Sequence, residues 1–251
     1  VLTGRKFSDL CLEKIKSAYE RALLSLDSRK VKTGKYTVIL SPHATASLTS
    51  SLCEALSGIR FAENSSYFKA YLGKKCASKH VTLTSNPFIK GGINSFEFDD
   101  EGHPAKKITV INEGKLLTCL TDIYSSSVLG KRPAGVSKRG SYKEFPHPAS
   151  GNMFWKPGKR NSEKIRKDVN KGIIVYSFPS VNVVNGIFSS MIDFGYVIDG
   201  GDIAYGVKGT MMGGSIIETL NNLVEVSSDG ESFGGGFFPY LVIRNVSISS
   251  E

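Results

Sequence analysis

Apolar residues near the start of the chain recur with a helical period. They fall at positions 7, 11, 15, 18, 22 and 26, a spacing close to 3.6 residues. Ser8 is a suitable N-cap, and the Lys, Glu and Arg residues in between give a solvated face. We therefore predict a helix over 7–26, and we interpret residues 1–34 as a helical lead-in to a main domain at 35–251.

The stretch 36–58 combines a buried strand with a helix. The apolar run 38–40 is rich in β-branched residues and is closed by Ser41 and Pro42, which predicts a strand. Leu48, Leu52 and Leu56 then follow at helical spacing, and Gly58 is a plausible C-terminal cap. A strand that leads into a helix of small and hydroxyl residues is a candidate position for a catalytic site.

The remaining pattern predicts hairpins with a few inserted helices. We predict strands over 80–84, 172–178, 186–198 and 240–248, and hairpins around the turns 112–115 and 199–202. We predict helices over 162–170 and from 216 to 224, and a short helix or turn over 65–72. A long loop covers 125–161, and a Gly-rich loop covers 230–236. Strands in hairpins with few helices indicate an α+β fold. We expect a largely antiparallel or mixed β-sheet with a few packed helices.

The net charge of +9 is distributed unevenly. Residues 131–171 carry 12 basic and 3 acidic side chains, and residues 172–251 carry 2 basic and 8 acidic ones. Such a basic stretch beside an acidic one fits internal or subunit-level complementarity as readily as nucleic-acid binding. The candidate basic surface consists of Lys131, Arg132, Lys138, Arg139, Lys159 and Arg160.

Other features of the composition exclude several classes of protein. Cys11, Cys53, Cys76 and Cys119 are far apart and form no CxxC pair, so we expect reduced thiols rather than disulfides or a metal site. No apolar run approaches the ~18 residues that cross a membrane, and the start has no signal-peptide core. We expect a soluble, cytoplasmic protein. The missing initiator Met suggests a cleaved or truncated product.

Several segments, read in order, carry a family resemblance. They are GKYTVILSP (34–42), SNPF (85–88), HPASGNMFWKPG (147–158), NGIFSSMIDFGYVIDGGDIAYGV (185–207) and FFPYLVIRNVSIS (237–249). Together they resemble the C-terminal region of the TldD/PmbA (TldE) family, whose proteins are tied to metallopeptidase activity and peptide maturation. The resemblance extends from about residue 35 to the end, and we expect the family's separate N-terminal domain to be absent.

The resemblance implies two kinds of subunit, which act as a paired dimer. TldD-type subunits carry a zinc-binding HExxxH on the helix after the first strand and a further Cys ligand in the late Gly-rich loop, whereas TldE/PmbA-type subunits lack this set. Here His43 lies only at the start of that helix, Glu54 is its one carboxylate, and the late loop 229–239 has no Cys. We expect no zinc and no other cofactor in this chain, and zinc in a TldD-like partner.

The other candidate catalytic groups have weaker patterns. His80, His103 and His147 are single residues in different segments, for which a joint metal site has a low prior. Asp99, Asp100 and Glu101 fit a turn before Gly102 better than paired catalytic carboxylates. Ser189 and Ser190 have no matching His-Asp pattern, and the Gly-rich loop has no P-loop Lys-Ser/Thr. We therefore predict no catalytic residue in this chain.

A peptide-binding groove is the remaining candidate site. An extended peptide could pair with the strand predicted at 186–198, where Gly186 permits close backbone approach and Ser189 follows. Asn152, Phe154 and Trp155 could line such a groove. Ordinary packing is the competing interpretation for each of these residues taken singly.

Two hypotheses of different classes follow. The first is a TldE/PmbA-like subunit without a metal centre, which pairs with a TldD-like zinc peptidase, completes its chamber and presents peptides to it. The second is a regulatory binding protein that uses the basic loop 131–171 on nucleic acid or on an acidic protein. No recognised nucleic-acid motif accompanies that loop, and the acidic stretch favours a solvated or subunit-facing surface, so we rank this hypothesis second.

Overall fold

The computed structural model describes residues 25–179 and 181–250, together with Ile15, Tyr19, Ala22 and Leu23. The helix predicted over 7–26 therefore lies mainly outside the described residues, as does Cys11. Within the described part, strands and a few short helices alternate, so the prediction of an α+β fold with a mixed sheet is confirmed.

The strands and helices have the following bounds. The strands are β1 (Ser28–Arg29), β2 (Gly34–Leu40), β3 (Leu83–Asn86), β4 (Ile108–Asn112), β5 (Lys115–Leu116), β6 (Ser137–Lys138), β7 (His147–Pro148), β8 (Asn152–Trp155), β9 (Lys171–Ser177), β10 (Asn182–Val184), β11 (Ile187–Met191), β12 (Phe194–Asp199), β13 (Asp202–Val207), β14 (Thr210–Ser215), β15 (Leu223–Phe233) and β16 (Gly236–Ser250). The helices are α1 (Pro42–Ala55), α2 (Gly58–Ala62), α3 (Ile123–Val128), α4 (Ser162–Lys167) and α5 (Ile216–Asn221), with a 3-10 turn at Lys69–Tyr71.

The chain divides into two compact units. The first comprises the described residues of Val1–Leu48, Pro157–Glu231 and Phe238–Glu251, and the second comprises Thr49–Lys156 and Ser232–Phe237. Each unit has strands of its own that pair in a sheet.

The first unit is built around the strand order β1-β13-β12-β9-β2-β16. β2 and β9 are parallel with Val38 opposite Ile173, whereas β2 and β16 are antiparallel with Val38 opposite Ile243. β16 also pairs with β14, which leads through β11 to β10. Helix α4 covers one face of the sheet. The core there consists of Ile39, Ile165, Val169, Ile174, Tyr196, Ile198 and Val242.

In the second unit the strand order is β16-β8-β3-β4-β5, and β16 contributes only its first residues. The hairpin of β4 and β5 turns through Glu113 and Gly114, both with positive φ, as the predicted turn 112–115 requires. A Cβ at Gly114 would lie 2.2 Å from the Ala77 carbonyl oxygen, so only glycine fits there. The predicted turn 199–202 in the first unit is confirmed in the same way by Gly200 and Gly201.

The structure differs from the sequence prediction at several boundaries. Leu223 and Val224, predicted as the end of a helix, begin the strand β15, and most of the predicted Gly-rich loop 230–236 belongs to the β15–β16 hairpin. The predicted strand 186–198 is interrupted at 192–193 and forms β11 and β12. Helix α4 is capped by Asn161, whose side-chain oxygen accepts from the Lys164 N–H, and it ends at Lys167, three residues before the predicted end at 170. Periodicity alone could not distinguish a short helix end from a twisted strand.

Candidate functional site

The junction of β2 and α1 is fixed by Ser41. Its N–H donates to the Val175 carbonyl at 2.8 Å, and its hydroxyl donates to the Tyr176 carbonyl at 2.8 Å. The same hydroxyl oxygen accepts from the Ala44 N–H at 3.4 Å. Pro42 occupies the first helical position, where a missing N–H costs nothing. The helix therefore starts in a fixed position beside the carboxyl end of β9.

Helix α1 buries a face of apolar and hydroxyl side chains. Ala44, Thr45, Leu48 and Leu52 are 0–3% exposed. Three side chains of this helix belong to types that commonly bind zinc: His43, Cys53 and Glu54. His43 and Glu54 are exposed. Eleven residues separate them, which is about 16 Å along a helix axis. Glu54 also forms an ion pair with Arg60 at 2.6 Å.

The residues on this helix do not fit a zinc site. A zinc ion needs ligand atoms that all lie within about 2.0–2.3 Å of it, and His43 and Glu54 cannot meet at one ion across that distance. The buried face offers the neutral hydroxyls of Thr45 and Thr49, which are not usual zinc ligands. No catalytic step through zinc follows from this chain's own residues.

Trp155 and Thr49 form a buried polar contact. Trp155 is 1% exposed, and its indole N–H donates to the Thr49 hydroxyl at 2.8 Å. The tryptophan predicted to line a groove is therefore placed in the core of the second unit. Its neighbour Phe154 lies opposite Thr84 of β3 and Phe237 of β16, and it is partly buried.

Asn152 ties a surface loop to β8. Its amide NH₂ donates to the Asn86 carbonyl and to the Ser95 hydroxyl, both at 2.9 Å. Its amide oxygen accepts from the Asn94 N–H at 3.2 Å. Asn152 is 1% exposed, so both ends of its amide are engaged inside the protein. To bind a peptide through its amide, Asn152 would have to break these hydrogen bonds and form new ones with the peptide.

Gly186 and Ser189 lie in the first unit, on the hairpin of β10 and β11. Asn185 and Gly186 have φ values of 50° and 78° and make its two-residue turn. Ser189 is exposed and lies on the rim of a shallow depression of about 350 Å³. The lining residues include Gly34, Lys35, Met211, Gly213, Ser247 and Ser249. The five predicted peptide-binding residues thus fall into two separate units.

The open strand edge near this turn belongs to β10. β11 pairs with β10 on one side and with β14 on the other, so its backbone is already used. Among the described strands, β10 pairs with β11 alone. The Asn-Gly pair at 185–186 between two β-rich runs is a hairpin signal in the sequence, and it could have identified this edge.

The acidic residues 99–101 form the predicted turn and act as an anchor. Asp99, Glu101 and His103 place one ligand-type atom each within 4.8 Å of one another. The Asp99 carboxylate accepts from the N–H groups of Glu101, His103 and Ser137 at 2.8–3.1 Å. The Glu101 carboxylate accepts from the Ile123 N–H and the Ser137 hydroxyl. Because protein donors occupy these carboxylate oxygens, the clustering of the two acids is accounted for by hydrogen bonds that hold the backbone, without a metal ion.

The described cysteines do not form a nucleophilic site. Cys53, Cys76 and Cys119 take part in no disulfide among the described residues. Burial raises the pKa of the Cys76 thiol to about 11, and burial also raises the pKa of Cys119. Since the thiolate is the nucleophile, both groups stay protonated and unreactive near neutral pH.

Comparison with known proteins identifies the family. The family described as the PmbA/TldA metallopeptidase C-terminal domain has a model that matches residues 33–250. This chain belongs to the TldD/PmbA family. A metalloprotease TldD homolog of Buchnera aphidicola (subsp. Acyrthosiphon pisum) is 30% identical over 217 residues, which are 85% of this chain and 45% of that protein. The metalloprotease PmbA of Escherichia coli O157:H7 is 26% identical over 91% of this chain and 49% of its own length.

Two solved structures share the fold. A protein of Thermotoga maritima superposes with a TM-score of 0.89 at 25% identity, covering 98% of this chain and 57% of that one. TldE from Thermococcus kodakarensis superposes with a TM-score of 0.86 at 23% identity, covering 94% and 55%. The chain spans about half the length of the relatives it matches. In the part of the chain that the structure describes, no helix has both the length and the apolar character to span a bilayer.

Proposed function

We propose that this chain is a TldE/PmbA-type subunit of a cytoplasmic TldD/TldE-type metallopeptidase complex. It has no metal centre of its own, and it works beside a zinc-bearing, TldD-like partner in peptide maturation or degradation. The observation that carries the proposal is helix α1, which has His43 and Glu54 eleven residues apart and hydroxyls on its buried face. The family fold is kept while the ligand set is replaced by neutral packing.

The role of the chain in such a complex would be to shape the chamber and present peptides to the partner's zinc. The β10 edge supports this role, because an extended peptide can add to an open strand through main-chain hydrogen bonds without regard to its sequence. Val184 lies opposite Ile187 next to the two-residue turn, so Val183 occupies a pair that does not exchange hydrogen bonds within the hairpin. The N–H and C=O of Val183 therefore point to the open side.

Co-expression with an HExxxH-bearing relative tests the proposed complex. We expect the two chains to co-elute on size exclusion and zinc to be found at about one ion per partner chain, with none retained by this chain purified alone. Cleavage of an unfolded peptide mixture should be slower with the partner alone than with the pair. Separate elution with unchanged cleavage would show that the proposal is wrong, and stoichiometric zinc in this chain would overturn the claim of no metal centre.

The substitution Val183→Pro tests the β10 edge within that complex. Proline removes the outward N–H and is tolerated on an edge strand. We expect the pair to assemble normally but to cleave the peptide mixture several-fold more slowly, mainly through a higher KM. Val183→Thr keeps the N–H and serves as the matched control. Equal cleavage by the two variants would show that β10 does not present peptides, and it would leave the proposal of the complex untouched.

A further inference from the structure

The structure divides the basic stretch 131–171 between the two units. Residues 131–147, which we call the basic ribbon, lie in the second unit and include the short antiparallel pair of β6 and β7. The ribbon contains five Lys or Arg residues and one acid, Glu144. Lys156 also lies in the second unit, and the six cations from Lys159 onward lie in the first unit.

Two aromatic side chains at the tip of the ribbon are almost fully exposed. Tyr142 is 85% exposed and Phe145 is 91% exposed. They lie three residues apart in the segment 139–146, between the two short strands. Such rings contribute nothing to the core, and clusters of exposed apolar side chains on a protein surface commonly mark a binding site.

The base of the ribbon is held firmly. The Ser137 N–H donates to the buried Asp99 carboxylate at 3.1 Å, and the Ser137 hydroxyl donates to Glu101 at 2.7 Å. The Arg139 N–H donates to Asp100 at 2.7 Å. The acids therefore fix the backbone at Ser137 and Arg139, next to the tip, so the tip aromatics are displayed from a defined position.

Four cations of the ribbon form no ion pair within the described part of the chain. Among the residues that the structure describes, no ion pair joins Lys131, Arg132, Arg139 or Lys143 to an acid. Glu144 accepts from the Ser141 hydroxyl at 3.1 Å.

The acidic stretch 172–251 instead meets the other half of the basic segment. Arg160 pairs with Glu225 at 3.4 Å, and Arg166 pairs with Asp202 at 3.4 Å. Both pairs lie inside the first unit. The internal neutralisation that the composition suggested is thus seen for Arg160 and Arg166.

We propose that the tip of the basic ribbon binds single-stranded nucleic acid, with Tyr142 and Phe145 stacking on bases and Arg139 and Lys143 contacting phosphates. Unpaired bases expose flat faces beside a regularly charged backbone, and this ligand class uses both features of the tip. A duplex hides its base faces, and an acidic peptide offers charge without stacking surfaces. The Lys143 ammonium lies 5.4 Å from the Tyr142 ring centre, so a cation and a stacking surface are already side by side.

Fluorescence anisotropy of a labelled oligo-dT of about 12 nucleotides tests the proposal on the full chain. We expect binding at low salt with a log–log salt slope of roughly −1.4, because Arg139 and Lys143 contact phosphates and each contact contributes about −0.7 on a single strand. Tyr142→Ala and Phe145→Ala should each weaken binding about tenfold. An oligo-U arm of the same length distinguishes RNA from DNA, and a duplex should compete poorly.

Matched variants in the first unit provide the controls. Phe194→Ala removes an aromatic ring that is 43% exposed, and the pair Lys30→Glu with Lys32→Glu reverses two exposed cations. These should leave binding within about twofold, whereas Arg139→Glu with Lys143→Glu should abolish it. All of these side chains are at least partly exposed, so we expect every variant to fold. Thermal melts that match the parent protein check this.

Three results would overturn the proposal. They are no binding of either oligonucleotide at low salt, equal binding by the Tyr142→Ala and parent proteins, and equal losses from the ribbon variants and the control variants. Tighter retention on polyglutamate or on phosphatidylserine vesicles than on oligo-dT would also overturn it, and it would assign the tip to an acidic protein or to a membrane surface. The test is independent of the proposed peptidase complex.

Discussion

The two halves of the basic stretch 131–171 are both rich in Lys and Arg, but they have different structural settings. In the half from Lys159 onward, Arg160 and Arg166 pair with acids that lie more than thirty residues away along the chain. In the ribbon, acids bind the backbone and the hydroxyl of Ser137, and no ion pair with an acid is found for Arg139 or Lys143 in the described part of the chain. A run of cations therefore says little about function until the positions of the acids are known.

Removal of the ribbon's anchor should have the largest effect on stability. Asp99 has a fully buried side chain that accepts three N–H groups. Asp99→Ala would leave these donors unsatisfied, at about 1–3 kcal/mol each before relaxation, so we expect the free energy of unfolding to fall by about 3 kcal/mol or more. Urea unfolding measures this loss. Asp100→Ala, at an exposed position, is the control and should cost less than about 1 kcal/mol.

A loss below 1 kcal/mol for Asp99→Ala would contradict the anchor and would leave the ribbon without a fixed base. In that case the two halves of the basic stretch would differ only in whether their cations form ion pairs.

Limited proteolysis should separate the two halves next. Trypsin cleaves after Lys and Arg, and exposed loop tips are cut before ordered elements. We expect cuts after Arg139 and Lys143 to precede cuts after Arg160 and Arg166 by about tenfold or more in rate, since Arg166 lies in α4 and donates to the Gly201 carbonyl. Mass spectrometry of timed samples identifies the first fragments. First cuts within 160–167 would reverse the comparison.

Single cation deletions should give the smallest difference. Arg160→Ala removes contacts to Asp168 and Glu225 at a partly exposed site. We expect its Tm to lie about 2 °C below that of the parent protein at low salt, and we expect this difference to disappear at high salt, where ion pairs are screened. Lys143→Ala should leave the Tm unchanged at both salt concentrations. Calorimetry at about 0.02 M and 0.5 M salt measures both. Equal shifts for the two variants would show that the ribbon cations also form stabilising ion pairs.

Prediction from the sequence succeeded where the determining interactions are local. The turns at Glu113-Gly114 and Gly200-Gly201 were predicted because positive φ restricts the residue type. The run 38–40 was predicted as a strand because fully buried strands are continuously apolar, and it forms the buried C-terminal end of β2. The prediction of a helix was wrong at Leu223 and Val224, because their place in the β15–β16 hairpin depends on pairing with β16 rather than on a local pattern.

The candidate site shows the same division. His43 and Glu54 lie too far apart along one helix to share a zinc ion, and this follows from counting residues. The sequence could not show that Trp155 donates to Thr49, more than a hundred residues away, or that Asn152 holds the loop 87–96. Both were predicted to line a groove, and the structure places them inside the second unit with their polar groups bonded. Their binding of a peptide stays a prediction.

The sequence by itself determined the strand–helix junction at 36–58, the tight turns and the lack of an HExxxH helix, because each depends on residues within a few positions of one another. Only the tertiary structure decided which basic half is neutralised, which strand edge stays open and which aromatics reach the surface. These outcomes depend on contacts between distant segments. The acids at 202 and 225 approach Arg166 and Arg160 only once the sheet has brought their strands together.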